Sequence, residues 1–240
     1  AVLTYTVTPT TPDGCTGDPF TVSVTVNPLG QVDNPGDQEF CNNDNISINF
    51  TTDNTGGDTT YSWTNTNSAI GLSNSGSGNI NVTATNTTND AITSTVTVTP
   101  SFEGCQGTPQ TFTITVNPEP SINNIDQEVC TGSGISITPT DGTIPVGTTY
   151  SWDAPTSSPS GVITGGSSGT DETTITESEL LNSTNSPAVL TYTVTPTTPD
   201  GCTGDPFTVS VTVNPLGQVD NPGDQEFCNN DNISINFTTD

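Results

Sequence analysis

Lysine, arginine and histidine are all missing from this chain, against 26 acidic residues in 240. No side-chain salt bridge can form between any of its residues. No basic surface exists to hold phosphate, so nucleic acid is excluded as a direct partner. An anionic membrane surface would repel the chain. Any ionic partner has to be a cation or a basic protein. Without histidine there is no imidazole base, no Ser-His-Asp triad and no imidazole metal ligand. Without lysine there is no Schiff base, no phosphate-loop lysine and no Lys–Asn isopeptide crosslink. Apolar residues are also scarce, at 28%, below the roughly 45–50% of average domains, a benchmark that also counts glycine. No stretch approaches the ~18 continuous apolar residues of a membrane span. No signal peptide is visible. The chain begins inside a strand-like pattern, which leads us to expect a segment of something longer.

What fills the sequence is repetition. Ala1–Asp53 recurs without a mismatch as Ala188–Asp240, an offset of 187 residues. Internal repeats decide architecture before any local reading does. A weaker repeat lies inside that period: Thr113–Pro118 resembles Ser210–Pro215, and Tyr61-Ser62-Trp63 matches Tyr150-Ser151-Trp152. Glu103-Gly104-Cys105-Gln106-Gly107 likewise matches Asp200-Gly201-Cys202-Thr203-Gly204. The expected organisation is a C-terminal half-module at 1–28, a module at 29–118, a second at 119–215, and the N-terminal half of the next at 216–240.

Each module reads as short strands. Phe207, Val209, Val211 and Val213 alternate with Thr208, Ser210 and Thr212; Ile46, Ile48 and Phe50 alternate with Ser47 and Asn49. Period two means one buried face and one wet face. Threonine on the wet face supports the strand through its β-branch. Clusters such as Asn54–Asp58 and Thr198–Gly201 break the runs as turns. About seven such strands in 90–97 residues is the sandwich pattern. The fold class expected is all-β, with tandem Ig-like sandwich modules in an extended array and no helix longer than a turn or two.

A cysteine soon after the first strand, Tyr-Ser-Trp in a middle strand and then Thr191–Pro215, TYTVTPTTPDGCTGDPFTVSVTVNP, together resemble the PKD-like repeats of Bacteroidota surface proteins. These include gliding-motility adhesins of the SprB type. The resemblance covers both modules. The first departs from it with Phe102-Glu103 before its Gly-Cys and with no tyrosine in the Ile92–Thr99 strand. It implies export, display on the cell surface, and a spacer role.

Candidate chemistry is sparse. Two cysteines per module favour disulfides. Within-module bridges Cys41–Cys105 and Cys130–Cys202 are the preferred reading. The rival joins neighbours as Cys15–Cys41, Cys105–Cys130 and Cys202–Cys228, and a metal site lacks the spacing it needs. Trp63 and Trp152 read as core residues packed beside Tyr61 and Tyr150, in preference to sugar-stacking platforms. Asp and Asn cluster in turns, where oxygen ligands could hold a weak Ca²⁺ at Asp53 and Asp58, although solvated turns explain them as well. Glu177 and Glu179 read as a solubilising strand face and not as a glycosidase pair. Outward threonine explains the Thr95-Val96-Thr97-Val98-Thr99 row without an ice ligand. Asp58-Thr59-Thr60 resembles a short acidic-threonine glycosylation motif.

No enzyme is expected. The reading is a structural stalk or filament-forming repeat of a giant secreted surface adhesin, alternatively a ligand-binding adhesin module. Its expected partners are further copies of the repeat and neighbouring filaments, outside the cell, with no cofactor beyond a weakly held Ca²⁺.

Overall fold

The structure, a computed structural model, describes residues 1–238. Contacts divide the chain into two compact units: Ala1–Asn86 with Ala91–Asn117, and Thr87–Asp90 with Pro118–Asp240.

The first unit opens on a hairpin, β1 (Val2–Val7) and β2 (Phe20–Thr25). Then come β3 (Gln38–Cys41), β4 (Asn45–Ile48), β5 (Thr59–Asn65), β6 (Ser75–Ser77), β7 (Ile80–Thr83), β8 (Ile92–Phe102), β9 (Cys105–Gln106) and β10 (Gln110–Asn117). One sheet has the order β3-β10-β8-β5-β6, with β9 folded back on β8, and β4 pairs with β7 in a second layer. β3 runs parallel to β10; the other neighbours are antiparallel. The period-two reading explains the layers. In β8, Val96, Val98 and Phe102 are buried while Thr95, Thr97 and Thr99 are not. Val96 and Val98 meet Ile46, Ile48 and Ile80 of the second layer and Phe112, Ile114 and Val116 of β10 in one core. Each such aliphatic side chain contributes about 1.5–3 kcal/mol when fully buried, so a thin core built this way suffices for a small sandwich.

The second unit repeats the plan. It contains β11 (Ser121–Ile122), β12 (Ile125–Cys130), β13 (Ser133–Ile137), β14 (Gly142–Thr143), β15 (Thr149–Trp152), β16 (Thr156–Ser158), β17 (Ile163–Thr164), β18 (Gly169–Glu172), β19 (Ile175–Asn182), β20 (Ala188–Thr197) and β21 (Phe207–Asn214). The large sheet is β12-β21-β20-β15-β18, the facing sheet is β13-β19-β17, and β12 again runs parallel to β21. Leu190, Tyr192, Val194, Phe207, Val209, Val211 and Val213 pack against Ile135, Ile137, Ile175 and Leu180. Among the described residues the single helical element is a one-turn 3₁₀ segment, Ser68–Ile70. The chain is thus all-β, in Ig-like sandwich modules.

The repeated segments show what context adds to sequence. β1 and β2 pair in the same register as β20 and β21: Leu3 faces Val24 and Tyr5 faces Val22, as Leu190 faces Val211 and Tyr192 faces Val209. Yet Tyr5 is 54% exposed and Tyr192 0%. The hairpin forms locally, but no second layer covers it. At the other end, residues 216–238 form no strand, although their twin at 29–51 supplies β3 and β4. Those strands need β10 and β7 as partners, and a lone strand cannot satisfy its backbone.

Candidate functional site

Each module is centred on one tryptophan. Trp63 and Trp152 are 8% and 7% exposed. Both sit on the strand next to an edge, and both lie against a glycine of that edge: Trp63 pairs with Gly76 and Trp152 with Gly169. A Cβ on Gly76 would lie 2.1 Å from Trp63 Cζ2, and one on Gly169 2.4 Å from Trp152 Cζ2. The indole therefore occupies the space a side chain would fill. The ring nitrogens are satisfied too, Trp63 Nε1 donating to the Gly78 carbonyl at 3.1 Å and Trp152 Nε1 to Ser167 at 2.9 Å. A buried indole offers no face for sugar stacking. Tyr150 is buried beside Phe207, while Tyr61 is half-buried beside Phe50. Burial pushes both phenols above their ordinary range because it disfavours the phenolate.

Glu177 departs from the expectation of a wet carboxylate face. It is buried, and it accepts from Ser167 N at 2.8 Å, from Ser167 Oγ at 3.0 and 3.1 Å, and from Tyr192 OH at 3.1 Å. Glu179 stays exposed. Glu177 takes the inward face in step with Ile175, and a bulge follows it: Ile135 faces Glu177 but Ser133 faces Leu180, so β19 carries an extra residue there and Glu179 turns outward. One extra residue reverses which face the following side chains take. Gly134 permits it, because a Cβ there would lie 2.4 Å from the Glu177 carbonyl oxygen. Burial, reinforced by the Glu177 carboxylate, raises the Tyr192 phenol far above its usual value. The glutamate is thus a core hydrogen-bonding post, with no second carboxylate beside it among the described residues.

The expected within-module bridges are not formed. Cys105 and Cys130 are free thiols, as are Cys15 and Cys228, while Cys41 and Cys202 are disulfide-bonded. The register explains why. Cys41 pairs with Asn117 at the end of β10, whereas Cys105 follows the turn beyond the β8 residues that flank the start of β10. The 8 residues of β10 span roughly 25 Å, and a bridge requires Cα atoms within about 7 Å. Cys130 pairs with Asn214 at the end of β21, and Cys202 lies in the turn before that strand begins. The neighbour set Cys15–Cys41, Cys105–Cys130 and Cys202–Cys228 fails as well, since each of its pairs contains a free thiol.

Asp53 lines a surface recess with Asp33 and Gly30. The Asp58 backbone N–H donates to Glu103 Oε1 at 2.8 Å. Among the described residues no group of three or more acidic or cysteine side chains could hold a metal. Asp37 instead has a structural job: its Oδ1 accepts from Thr113 N at 2.7 Å, which lowers its carboxyl below the ordinary value. Asn124 does the same for Thr208 N at 2.8 Å in the second module. In the Asp58-Thr59-Thr60 triplet, the Thr59 hydroxyl is buried, whereas Asp58 and Thr60 are exposed. A surface groove of about 500 Å³ runs between Asp153–Thr156 and Thr191, Thr193 and Thr195. It opens because β15 and β16 pair with successive stretches of β20 and leave Thr193 between them.

These features define a class: Ig-like sandwich modules with tryptophan-centred cores and without a constellation for catalysis among the described residues. The PKD-like domain family matches residues 1–30, 38–120 and 127–217, and the chain belongs to that family. Domains of this kind are typically structural modules and not catalysts, and disulfide-bonded cysteines fit an extracellular one. No helix among the described residues is long and apolar enough to cross a membrane. No curated protein matches the chain. Solved structures with a similar fold include the chicken CNTN1 FN1–FN3 domains, at 13% identity and a TM-score of 0.38, covering 89% of this chain and 76% of that one. A second is SGBP-B of the Bacteroides ovatus mixed-linkage glucan utilization locus, in complex with a mixed-linkage heptasaccharide, at 13% identity and 0.27, covering 78% and 48%. A third is the fibronectin(III)-like modules of Clostridium thermocellum CbhA, at 13% and 0.28, covering 78% and 95%. At such identities and TM-scores nothing of what those proteins bind carries over.

Proposed function

We propose that this chain is spacer: part of the stalk or filament-forming repeat region of a large secreted cell-surface adhesin, of the gliding-motility type in Bacteroidota. The observation that carries this reading is the identity of Ala1–Asp53 with Ala188–Asp240. A binding surface needs one place to differ from the others. A spacer only has to be copied. The composition of the described cores supports the same reading, since the aromatics that could serve a ligand, Trp63 and Trp152, are consumed by packing. In the proposed array the modules run 29–118 and 119–215. The hairpin at 1–28 completes a module that precedes it, and 216–240 begins one that follows. Partners are then further copies of the same repeat. The test is the length of chains carrying increasing numbers of periods, by electron microscopy. The spacer reading expects a fixed increment per period. Specific retention of the 240-residue chain on a glycan or protein surface at a single site would replace it with the ligand-binding reading.

A further inference from the structure

Each module holds the first strand of its large sheet beside the last, and the two run the same way. In the first module the chain enters that sheet at Gln38, the start of β3, and leaves it at Asn117, the end of β10. β3 lies parallel to β10, with Gln38 facing Ile114 and Cys41 facing Asn117. In the second module it enters at Ile125 and leaves at Asn214, and β12 lies parallel to β21, with Ile125 facing Val209 and Cys130 facing Asn214. β3 and β12 are both sheet edges with one neighbour each. Tension on the chain either side of a module therefore pulls the first strand towards its start and the last strand towards its end. The pair is sheared along its length. The bonds of a parallel ladder are evenly spaced, so they resist together. An antiparallel hairpin loaded at its open ends, as β1–β2 would be, gives way one pair at a time.

The flanks reinforce each ladder. Ahead of the strand, Asp37 Oδ1 accepts from Thr113 N at 2.7 Å and Asn124 Oδ1 from Thr208 N at 2.8 Å. Behind it, Asn42 N donates to Asn117 O at 2.9 Å and Thr131 N to Asn214 O at 2.8 Å. Upstream of β3 the chain is held by bonds that lie apart, Gly30 N to Cys105 O at 3.0 Å and Asp33 N to Thr51 O at 2.9 Å, and these are loaded one after another. The ladders differ in length: β3 has 4 residues and β12 has 6. The first module adds Asn117 Nδ2 to Glu39 Oε1 at 2.7 Å and Asn34 Nδ2 to Thr111 O at 3.3 Å, but these bonds hang on rotatable side-chain torsions. We propose that the paired first and last strands are shear clamps that carry tension through the chain, and that the first module yields before the second because its clamp is shorter. Forced unfolding follows the unfolding rate and not the equilibrium stability. The clamp sets that rate, since the edge strand must slide along its neighbour before the core opens. The inference rests on the spacer reading for its purpose and on the strand registers for its geometry. The length test of that reading is made without load, so either can fail alone.

The test is single-molecule force spectroscopy on the 240-residue chain held by its two ends, in reductant so that no disulfide limits extension. Two module-sized force peaks are expected, the weaker from the first module. The stretch Ile125–Asn214 is longer than Gln38–Asn117, so at roughly 3.5 Å per extended residue the length released shows which module opened. Moving the C-terminal handle to exposed Thr108, in the turn ahead of β10, loads β3 and β10 at neighbouring ends. The first module should then yield at a force several-fold lower. Two variants separate the clamp from overall stability. Asn42 turns its N–H to β10, and alternate residues of a strand turn theirs the same way. Gln38→Pro thus removes a bond of the ladder and should lower the first peak about twofold while leaving the second. Gly76→Ala, at the opposite edge of the sheet, should lower the stability to denaturant and leave both peaks in place. A second module that opens first, equal forces in the two loading geometries, or a first peak that follows Gly76→Ala and ignores Gln38→Pro would overturn the proposal.

Discussion

Gly76 and Gly169 are as much a part of the tryptophan sites as the indoles. Gly76→Ala places a methyl 2.1 Å from the Trp63 ring, and overpacking of this kind costs about 1–3 kcal/mol. Denaturant unfolding of the first module should shift by that much, whereas an unshifted midpoint would mean that the ring has room. Tyr192 makes a second residue-scale prediction. Its phenol is raised by burial and by Glu177, so the folded state resists deprotonation while the unfolded chain loses its proton near pH 10. The stabilisation is therefore complete below about pH 10 and is lost as pH climbs above it. Tyr192→Phe should cost about 1–2 kcal/mol at neutral pH, because Glu177 loses a donor, and should flatten the alkaline fall. Unfolding curves at pH 7 and 11 check both. The sequence made the tryptophans readable as core because Tyr-Ser-Trp sits in an alternating run. It hid the split between Glu177 and Glu179, because the bulge opposite Gly134 falls after Glu177 and turns Glu179 outward and Leu180 inward without any change in composition.

Strands were legible wherever apolar and threonine residues alternate, as in β8, β20 and β21. Pairing was not, and the cysteines show the consequence. Reading one cysteine near the start and one near the end of each module suggested an internal bridge. The parallel placement of β3 on β10 and of β12 on β21 separates those cysteines by the length of a strand. No local pattern announces a parallel first strand. The copied hairpin supplies the prediction at this scale. β1 and β2 expose Leu3, Tyr5, Phe20 and Val22, while the same residues in β20 and β21 form a core. A chain extended upstream by a copy of residues 119–187 should bury them. Amide exchange across residues 2–25 should slow to the rate of residues 189–212, while in the 240-residue chain it is fast. Equal exchange in both chains would mean that the hairpin does not complete a preceding module.

At the scale of the whole molecule the missing cations return. Trypsin has no bond to cut anywhere in the 240 residues, folded or not, so prolonged digestion of a denatured sample should leave one intact band. Fragments from pure trypsin would contradict the sequence itself. Every module carries negative charge with no cation to offset it, so modules repel one another, most strongly at low salt. The links Asn27-Pro28-Leu29 and Asn117-Pro118-Glu119-Pro120 restrict the backbone on both sides of each proline. A strictly repeated link applies one operation over and over, which builds a line or a helix. Strands of 8–10 residues span about 30 Å, so a period of two modules should add roughly 70–90 Å. The direct measurement is the end-to-end length of chains of two, four and eight periods, by electron microscopy and small-angle scattering. The spacer account predicts length proportional to period number. Growth as the square root of that number would contradict it and describe a flexible tether instead.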